Sequence, residues 1–294
     1  MNDNNFRSLI TSLIIICIAA CLALIGSHRG ITVFGGIPVF ALGVAIAFII
    51  QWIAFIPAYI KRTEKFFDLT GSLTYSIVII FSVVLSSEIN IRSILLMFLV
   101  LIWAIRLGMF LFRRILKEGE DKRFKEIKES GSRFLLTWTL QGLWVSFTLA
   151  AALAAITVKQ RVEFGVFGLI GLLVWIIGFG FEAVADYQKS KFRSIPENKG
   201  KFITTGLWSI SRHPNYFGEI LLWIGIAIIA LPTLQGWRWL TLISPIFVTL
   251  LLTKVSGIPL LEKHADEKWG GQEEYEQYKS KTPVLIPRPF FKSN

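Results

Sequence analysis

Residues 134–158, FLLTWTLQGLWVSFTLAAALAAITV, form an uncharged and mostly apolar run of 25 residues. A transmembrane α-helix needs roughly 20 mostly apolar residues to cross the hydrocarbon core of a bilayer. This run therefore predicts a helix that spans a membrane.

Similar runs recur along all 294 residues, of which 53% are hydrophobic, and the mean hydropathy is +0.59. A soluble domain of this size would need more polar surface to cover its core. We predict an all-α polytopic membrane bundle of eight spans, or seven if the first run is not a true span. We interpret that run as a span because no clear cleavage region of a signal peptide follows it. The runs are 9–26, 33–60, 72–87, 92–112, 134–158, 164–185, 217–232 and 240–257. Those at 72–87 and 217–232 are short, so we expect their ends to extend into flanking residues.

The net charge of +11 comes from the loops between the runs, which argues against a nucleic-acid partner. With eight spans, the loops and termini on one side carry 24 of the 31 Lys and Arg residues, and the loops on the other side carry 4. Because Lys and Arg are enriched in short cytoplasmic loops, we predict that both termini are cytoplasmic.

The chain shows no soluble domain, internal repeat or low-complexity linker, so we predict a single integral membrane domain over residues 1–294. Cys17 and Cys21 both lie in the first apolar run. We interpret them as packing or lipid-facing residues, and we predict no metal site.

The densest polar cluster follows the sixth span. Glu182 and Asp186 are four residues apart, and Arg193 comes seven residues after Asp186, so all three share a face if the helix continues beyond the bilayer. Lys201 follows Gly200, where a glycine permits close approach of the backbone to an anion. These residues predict either a nucleotide site or a solvated helix end. No GxGxxG follows a strand, so a nucleotide site here would be of a non-Rossmann type.

Residues 211–219, SRHPNYFGE, open the seventh span. Arg212, His213 and Asn215 lie at its mouth, and Glu219 lies four residues after Asn215 within an apolar run. An acidic residue inside a span is costly and by default indicates a functional site. The alternative is a structural ion pair between Glu219 and Arg212.

Within the tail 258–294, the segment 262–287 reads as an amphipathic helix interrupted at Gly270 and Gly271, in which Tyr275 and Tyr278 share a face. A solvated tail would rarely collect so many aromatic and apolar residues. We expect it to fold back under the bundle.

Two polar residues mark the third span. Asp68 begins it, and Tyr75 lies seven residues later on the same face. Arg106, inside the fourth span, needs an acidic partner, for which we propose Asp68.

Three stretches together resemble the steroid 5α-reductase C-terminal family, and its bacterial members look closest. They are FEAVADYQ at 181–188, SRHPNYFGEILLWIG at 211–225 and EEYEQYKSKTPVLIP at 273–287. The resemblance is clear over about residues 100–290. The shorter RHPxYxG core is also similar to stretches of isoprenylcysteine carboxyl methyltransferases and of sterol C14 and C7 reductases.

The resemblance implies a membrane enzyme, here of a bacterial inner membrane, that holds NADPH at its cytoplasmic side. A lipophilic steroid or similar enone would enter from the bilayer, and hydride would pass to the β-carbon of a 3-oxo-4-ene. Spans within 9–112 would serve the substrate, and 113–294 would hold the cofactor. The cofactor-binding residues that it implies are Asp186, Arg193, Lys201, Arg212, His213, Asn215, Tyr216, Glu219, Tyr275 and Tyr278.

The family's steroid reductases polarise the substrate carbonyl with a glutamate and a tyrosine on early spans, and no Gln-Glu pair appears here. We expect Asp68 to replace the acid, with Tyr75 or Trp103 near the tyrosine's place. Hydrogen bonds from such a pair would stabilise the charge that develops on the carbonyl oxygen.

Two other functions compete with the reductase. The first is an S-adenosylmethionine-dependent methyltransferase of a lipid or prenylcysteine. Asn215 with Glu219 and the basic residues of 189–201 favour the reductase, because a dinucleotide with a 2′-phosphate needs several cations whereas a sulfonium is itself cationic. The second is a transporter or lipid-binding protein. Transporters often have duplicated halves with broken helices, and because the sequence shows no such duplication, it argues against this function.

Overall fold

The computed structural model describes residues 3–86, 89–121, 124–160 and 162–288. Within these residues the chain forms ten α-helices and one two-stranded antiparallel hairpin, β1 Thr32–Val33 with β2 Ile37–Pro38. The helices are α1 Asp3–Ser27, α2 Val39–Ile60, α3 Phe67–Leu85, α4 Ile91–Glu118, α5 Gly131–Ile156, α6 Gly165–Ser194, α7 Pro214–Ala230, α8 Ile243–Leu250, α9 Ile258–Trp269 and α10 Glu273–Lys281.

Eight helical segments of the described chain are long and apolar enough to cross a membrane, which confirms the predicted all-α polytopic fold. The short third and seventh runs extend as expected, since their spans are Phe67–Leu85 and Pro214–Thr233. The eighth, Gly236–Trp269, combines a 3-10 turn, α8, a π-helical turn at Leu251–Val255 and α9. The first run is helical in α1.

The charged sequence of 113–133 predicts a short charged helix after Gly119, and the loop between α4 and α5 corrects this expectation. Gly119 has a φ of 85° and ends α4, and residues 125–129 form turns. The buried Glu64 accepts a hydrogen bond from the backbone N–H of Asp121 and pairs with Lys128 at 2.7 Å. This tertiary anchor holds the loop in a conformation that local helix propensity alone would not select.

The chain divides into two compact units. The first comprises Met1–Gly168 with Ile229–Ser244. Its centre is α5, which is buried along most of its length and packs against α1, α2, α3 and α4. Alanines at 150–152 and 154–155 let neighbouring backbones approach closely. Arg92 and Arg238 bond backbone carbonyls and a hydroxyl at the loop ends, which compensates for burying their charge.

The second unit comprises Leu169–Ile228 with Pro245–Asn294. Here the backbones of α6 and α7 are in contact at Gly218, which has no Cβ. A Cβ at this position would lie only 2.5 Å from the backbone nitrogen of Glu182. The tail folds back as predicted: the N–H of Arg212 donates to the carbonyl of Pro283, and the Ser211 hydroxyl donates to that of Leu285.

The predicted interruption of the tail helix is also confirmed. The first tail helix, α9, ends at Trp269, and α10 starts at Glu273. Between them Gly271 has a φ of 81°, a conformation that glycine adopts without strain.

Candidate cofactor site

A cavity of about 280 Å³ lies within the second unit. The end of α6, the segment 201–213, α9 and α10 form its walls. Its lining residues are Lys189, Phe192, Arg193, Lys201, Phe202, Ile203, Trp208, Arg212, His213, Leu261, Glu262, His264, Ala265, Lys268, Trp269, Tyr275 and Tyr278.

The lining is strongly basic. Five Lys and Arg side chains face the cavity against a single carboxylate, that of Glu262. Such an excess of positive charge favours an anionic ligand. Within the described residues, no cluster of three or more His, Cys, Asp and Glu could hold a metal ion.

The cavity also has aromatic walls. The ring of Phe202 lies 5.6 Å from that of Trp269, 5.2 Å from that of Tyr275 and 5.7 Å from that of Tyr278, measured between centroids. Trp208 donates its indole N–H to the carbonyl of Ala185, which fixes the ring in place. Flat aromatic faces of this kind suit stacking of a planar heterocycle.

Glu262 organises one end of the cavity. Its Oε1 lies 2.7 Å from His213 Nε2, and its Oε2 lies 3.0 Å from a guanidinium nitrogen of Arg212. Burial lowers the pKa of His213 below its ordinary value, although the Glu262 carboxylate acts in the opposite direction. The imidazole is therefore neutral at neutral pH.

The two tail tyrosines contribute their rings rather than their hydroxyls. Tyr278 donates its hydroxyl to the carbonyl of Trp208 at 2.7 Å, and Tyr275 donates to Asp266 at 2.9 Å. Burial raises the pKa of both phenols, and for Tyr275 the bond to Asp266 adds to the effect. Both hydroxyls are thus protonated and already engaged with the protein.

The structure brings six of the ten predicted cofactor residues to this cavity: Arg193, Lys201, Arg212, His213, Tyr275 and Tyr278. The other four belong to the same unit but do not line it. Asn215 donates to Asp186 at 3.2 Å, Tyr216 stacks on His213 with centroids 5.7 Å apart, and Glu219 is half-buried on α7.

Sequence reasoning missed several lining residues. Glu262 gave no signal, because it stands in a tail whose acids and bases balance and its partners are about 50 residues away in sequence. Trp208, Trp269 and Phe202 were detectable only as aromatic residues in otherwise polar segments.

Asp68 and Tyr75 lie on α3 in the first unit. The Asp68 carboxylate is 3.7 Å from the guanidinium of Arg114, which lies eight residues, just over two helical turns, beyond Arg106. The pair of Asp68 with Arg106 stays a prediction. Tyr75 packs edge-on against Trp103 with centroids 5.0 Å apart, so the two aromatic residues considered for one role are neighbours.

Residues 54–282 match the protein family described as "Protein of unknown function (DUF1295)". The match begins near the end of α2 and includes every residue that lines the cavity.

Curated proteins of three kinds are similar to parts of the chain. Delta(14)-sterol reductase of Saccharomyces cerevisiae is 30% identical over 192 residues, 61% of this chain and 41% of that protein. "Probable 7-dehydrocholesterol reductase" of Acanthamoeba polyphaga mimivirus is 38% identical over 74 residues, 20% of this chain and 16% of that protein. "Probable O-methyltransferase ustE" of Ustilaginoidea virens is 36% identical over 58 residues, 20% of each. The chain thus spans about two fifths or less of these relatives' lengths, and no solved structure matches it.

Proposed function

The chain belongs to the DUF1295 family, and we propose that it is a membrane-embedded reductase that uses NADPH to reduce a carbon–carbon double bond of a sterol-like lipid. The observation that carries the proposal is the basic, aromatic cavity of the second unit. The similarity to two sterol reductases supports the same class of reaction.

The cavity residues fit part of a phosphorylated dinucleotide. Lys189, Arg193, Lys201 and Lys268 supply cations for phosphate groups, and Phe202 and Trp269 supply faces for an adenine. A volume of about 280 Å³ is at the small end of ligand pockets, so we assign to it the adenosine and phosphate end of the cofactor. Asn215 and Glu219, further along α7, are our proposal for the nicotinamide end. NADPH would supply a hydride there.

The charge distribution favours this cofactor over S-adenosylmethionine. Both carboxylate oxygens of Glu262 are occupied, one by His213 and one by Arg212, so the single acid of the cavity is neutralised within the protein. The four remaining cations would repel a cationic sulfonium and attract phosphates. The similarity to a probable O-methyltransferase keeps methyl transfer as the second candidate.

For the substrate we propose a 3-oxo-4-ene steroid or a similar enone that enters from the bilayer. Asp68, beside Arg114, and Tyr75, beside Trp103, are our candidates for polarising the carbonyl. In this role Asp68 donates from its protonated form, and asparagine would still offer an N–H donor. Asp68→Leu, which removes the donor, should keep the NADP+ affinity of the enzyme and lose at least tenfold in turnover, since removing one preorganised donor typically costs on the order of 100-fold or more. Unchanged turnover of a steroid enone would exclude Asp68 from this role.

We further propose that the cavity faces the cytoplasm of a bacterial inner membrane, because the basic loops flank it and positive loops remain cytoplasmic. Surface labelling of cysteines introduced at 199 in intact and in opened cells tests this orientation.

The experiment that decides the cofactor is purification in mild detergent, followed by release and mass spectrometry of bound small molecules. Binding of NADP+, NAD+ and S-adenosylmethionine is then measured by calorimetry. Lys201→Gln should weaken NADP+ about three- to tenfold, the value of one partly exposed charge-assisted contact. Lys199→Gln is the matched control, because Lys199 is exposed two residues away and does not line the cavity. Retention of S-adenosylmethionine, or equal effects of both variants, would contradict the proposal.

A further inference from the structure

One carboxylate in a basic cavity calls for an explanation. Glu262 on α9 reaches both His213 and Arg212, at 2.7 and 3.0 Å. The side chain of His213 is only 6% exposed, and its second ring nitrogen, Nδ1, is buried without a hydrogen-bond partner in the described part of the chain. His213 also lines the cavity.

The chemistry of these three groups fixes the position of one proton. An ionised carboxylate only accepts hydrogen bonds, and a guanidinium only donates them. The Arg212 guanidinium forms an ion pair with Oε2 that keeps Glu262 ionised, so the hydrogen between Glu262 and His213 must belong to Nε2. In a neutral imidazole the other nitrogen then carries a lone pair.

We propose that Glu262 is a positioning residue that holds the proton of His213 on Nε2 and thereby presents Nδ1 to the cavity as a hydrogen-bond acceptor. The ligand must offer a donor at this point, such as a sugar hydroxyl or a carboxamide N–H. An ionised phosphate oxygen is also an acceptor, so it cannot form a hydrogen bond with Nδ1. Phosphate groups would therefore bind at the lysines of the cavity instead. The identity of the ligand as NADPH rests on the proposed function.

Replacing Glu262 by Gln provides a sharp test, because a glutamine has one oxygen where the carboxylate has two. Arg212 can only donate, so it claims that oxygen, and the amide NH2 must then face His213 Nε2 as a donor. The proton of His213 moves to Nδ1, and the cavity presents a donor instead of an acceptor. In the double variant Glu262→Gln with Arg212→Met, the oxygen is released to His213 and the Nε2–H tautomer returns.

The tautomer is read directly by 15N NMR of histidine-labelled protein in detergent. The sequence has only three histidines, and His213→Asn assigns the resonance of interest by subtraction. Glu267→Gln is the matched control, because Glu267 contacts His264 at 3.3 Å and does not line the cavity. We expect the Nε2–H form in the natural protein and in Glu267→Gln, the Nδ1–H form in Glu262→Gln, and restoration in the double variant.

NADP+ affinity provides the second readout. Glu262→Gln should weaken binding roughly 10- to 100-fold, since it places a donor against a ligand donor in a buried site. Glu262→Asp, which keeps two acceptor oxygens, should retain the Nε2–H form. If Glu262→Gln does not fold, the natural protein and Glu262→Asp still decide the tautomer.

An Nδ1–H tautomer in the natural protein, or a Glu262→Gln variant with an unchanged tautomer and unchanged NADP+ affinity, overturns the proposal. The failure of the proposed cofactor looks different: the tautomers follow the expected pattern, but NADP+ neither binds nor shifts the Nδ1 resonance of His213.

Discussion

Glu64→Gln should loosen the loop between α4 and α5 without unfolding the rest of the chain. The Glu64 side chain is 2% exposed and pairs with Lys128 at 2.7 Å, and it also accepts the N–H of Asp121 at 3.0 Å. Glutamine keeps one oxygen for Asp121 and turns an NH2 donor toward the ammonium group. Lys128 is left mostly buried without a counter-charge.

The magnitude follows from the burial of the two partners. Removing one member of a fully buried ion pair costs about 3–5 kcal/mol, mostly for the charge that is left behind. The Lys128 side chain is 20% exposed and can partly move its ammonium group into water. We therefore expect about 1–3 kcal/mol for local opening of the loop, which corresponds to roughly 5- to 150-fold in the population of the open form.

Limited proteolysis measures this opening at a single bond. Phe124 is buried in the loop and packs edge-on against Phe67, with centroids 4.9 Å apart, so chymotrypsin cleaves after it only when the loop opens. When opening is fast relative to cleavage, the rate of this cut follows the open population. Glu129→Gln in the same loop is exposed and serves as the control.

A double variant separates the ion pair from other effects. Lys128→Met in the Glu64→Gln background removes the stranded charge, so cleavage should slow toward the natural rate and the double-mutant cycle should show coupling of at least about 1 kcal/mol. Equal cleavage of Glu64→Gln and Glu129→Gln, or zero coupling, would refute this account of the loop.

Two further predictions concern the second unit. Burial lowers the pKa of His213, so the folded state prefers the neutral ring. The free energy of unfolding is therefore highest above the unfolded pKa of about 6.5. It decreases as the pH falls from that value toward the lower pKa of the folded state, because only the unfolded state takes up the proton there. His213→Asn should reduce the dependence of Tm on pH in this window, and an unchanged slope of Tm against pH would contradict the prediction. Gly218→Ala should prevent α6 and α7 from packing and abolish a monodisperse elution profile, whereas Gly180→Ala, with open space around its Cβ, should be tolerated. Equal behaviour of the two alanine variants would show that the close approach is not needed.

Much of the fold could be predicted from the sequence because the signals are local. The apolar runs report spans directly, and the pair Gly270 and Gly271 marks the break between α9 and α10. The loop after Gly119 was mispredicted for the opposite reason. Its charged residues favour a helix locally, but Glu64, more than 50 residues away, captures the N–H of Asp121.

The candidate site divides in the same way. Arg193, Lys201 and the pair Tyr275 and Tyr278 stand in segments whose composition is unusual at a membrane boundary, so the sequence indicates them. Glu262 becomes meaningful only when the tail folds back and brings it to His213, and no pattern within α9 announces that contact.

The chain is similar in part to sterol reductases and to a probable O-methyltransferase, and the stretch 211–219 shows how one architecture could serve both kinds of cofactor. Several of its residues form a frame that holds the second unit together, in addition to the ligand contacts that we propose for His213, Asn215 and Glu219. The Ser211 hydroxyl and the Arg212 N–H hold the returning tail, and Asn215 bonds Asp186.

Within this frame His213 is oriented by Glu262, and Gly218 lets α7 touch α6. A frame of this kind positions a cavity without specifying the charge of its occupant. The positive charge of the cavity that Glu262 does not neutralise lies outside the stretch, on Lys189, Arg193, Lys201 and Lys268. Replacing these four cations, and not altering residues 211–219, is therefore the route by which the same architecture would come to prefer a cationic cofactor over an anionic one.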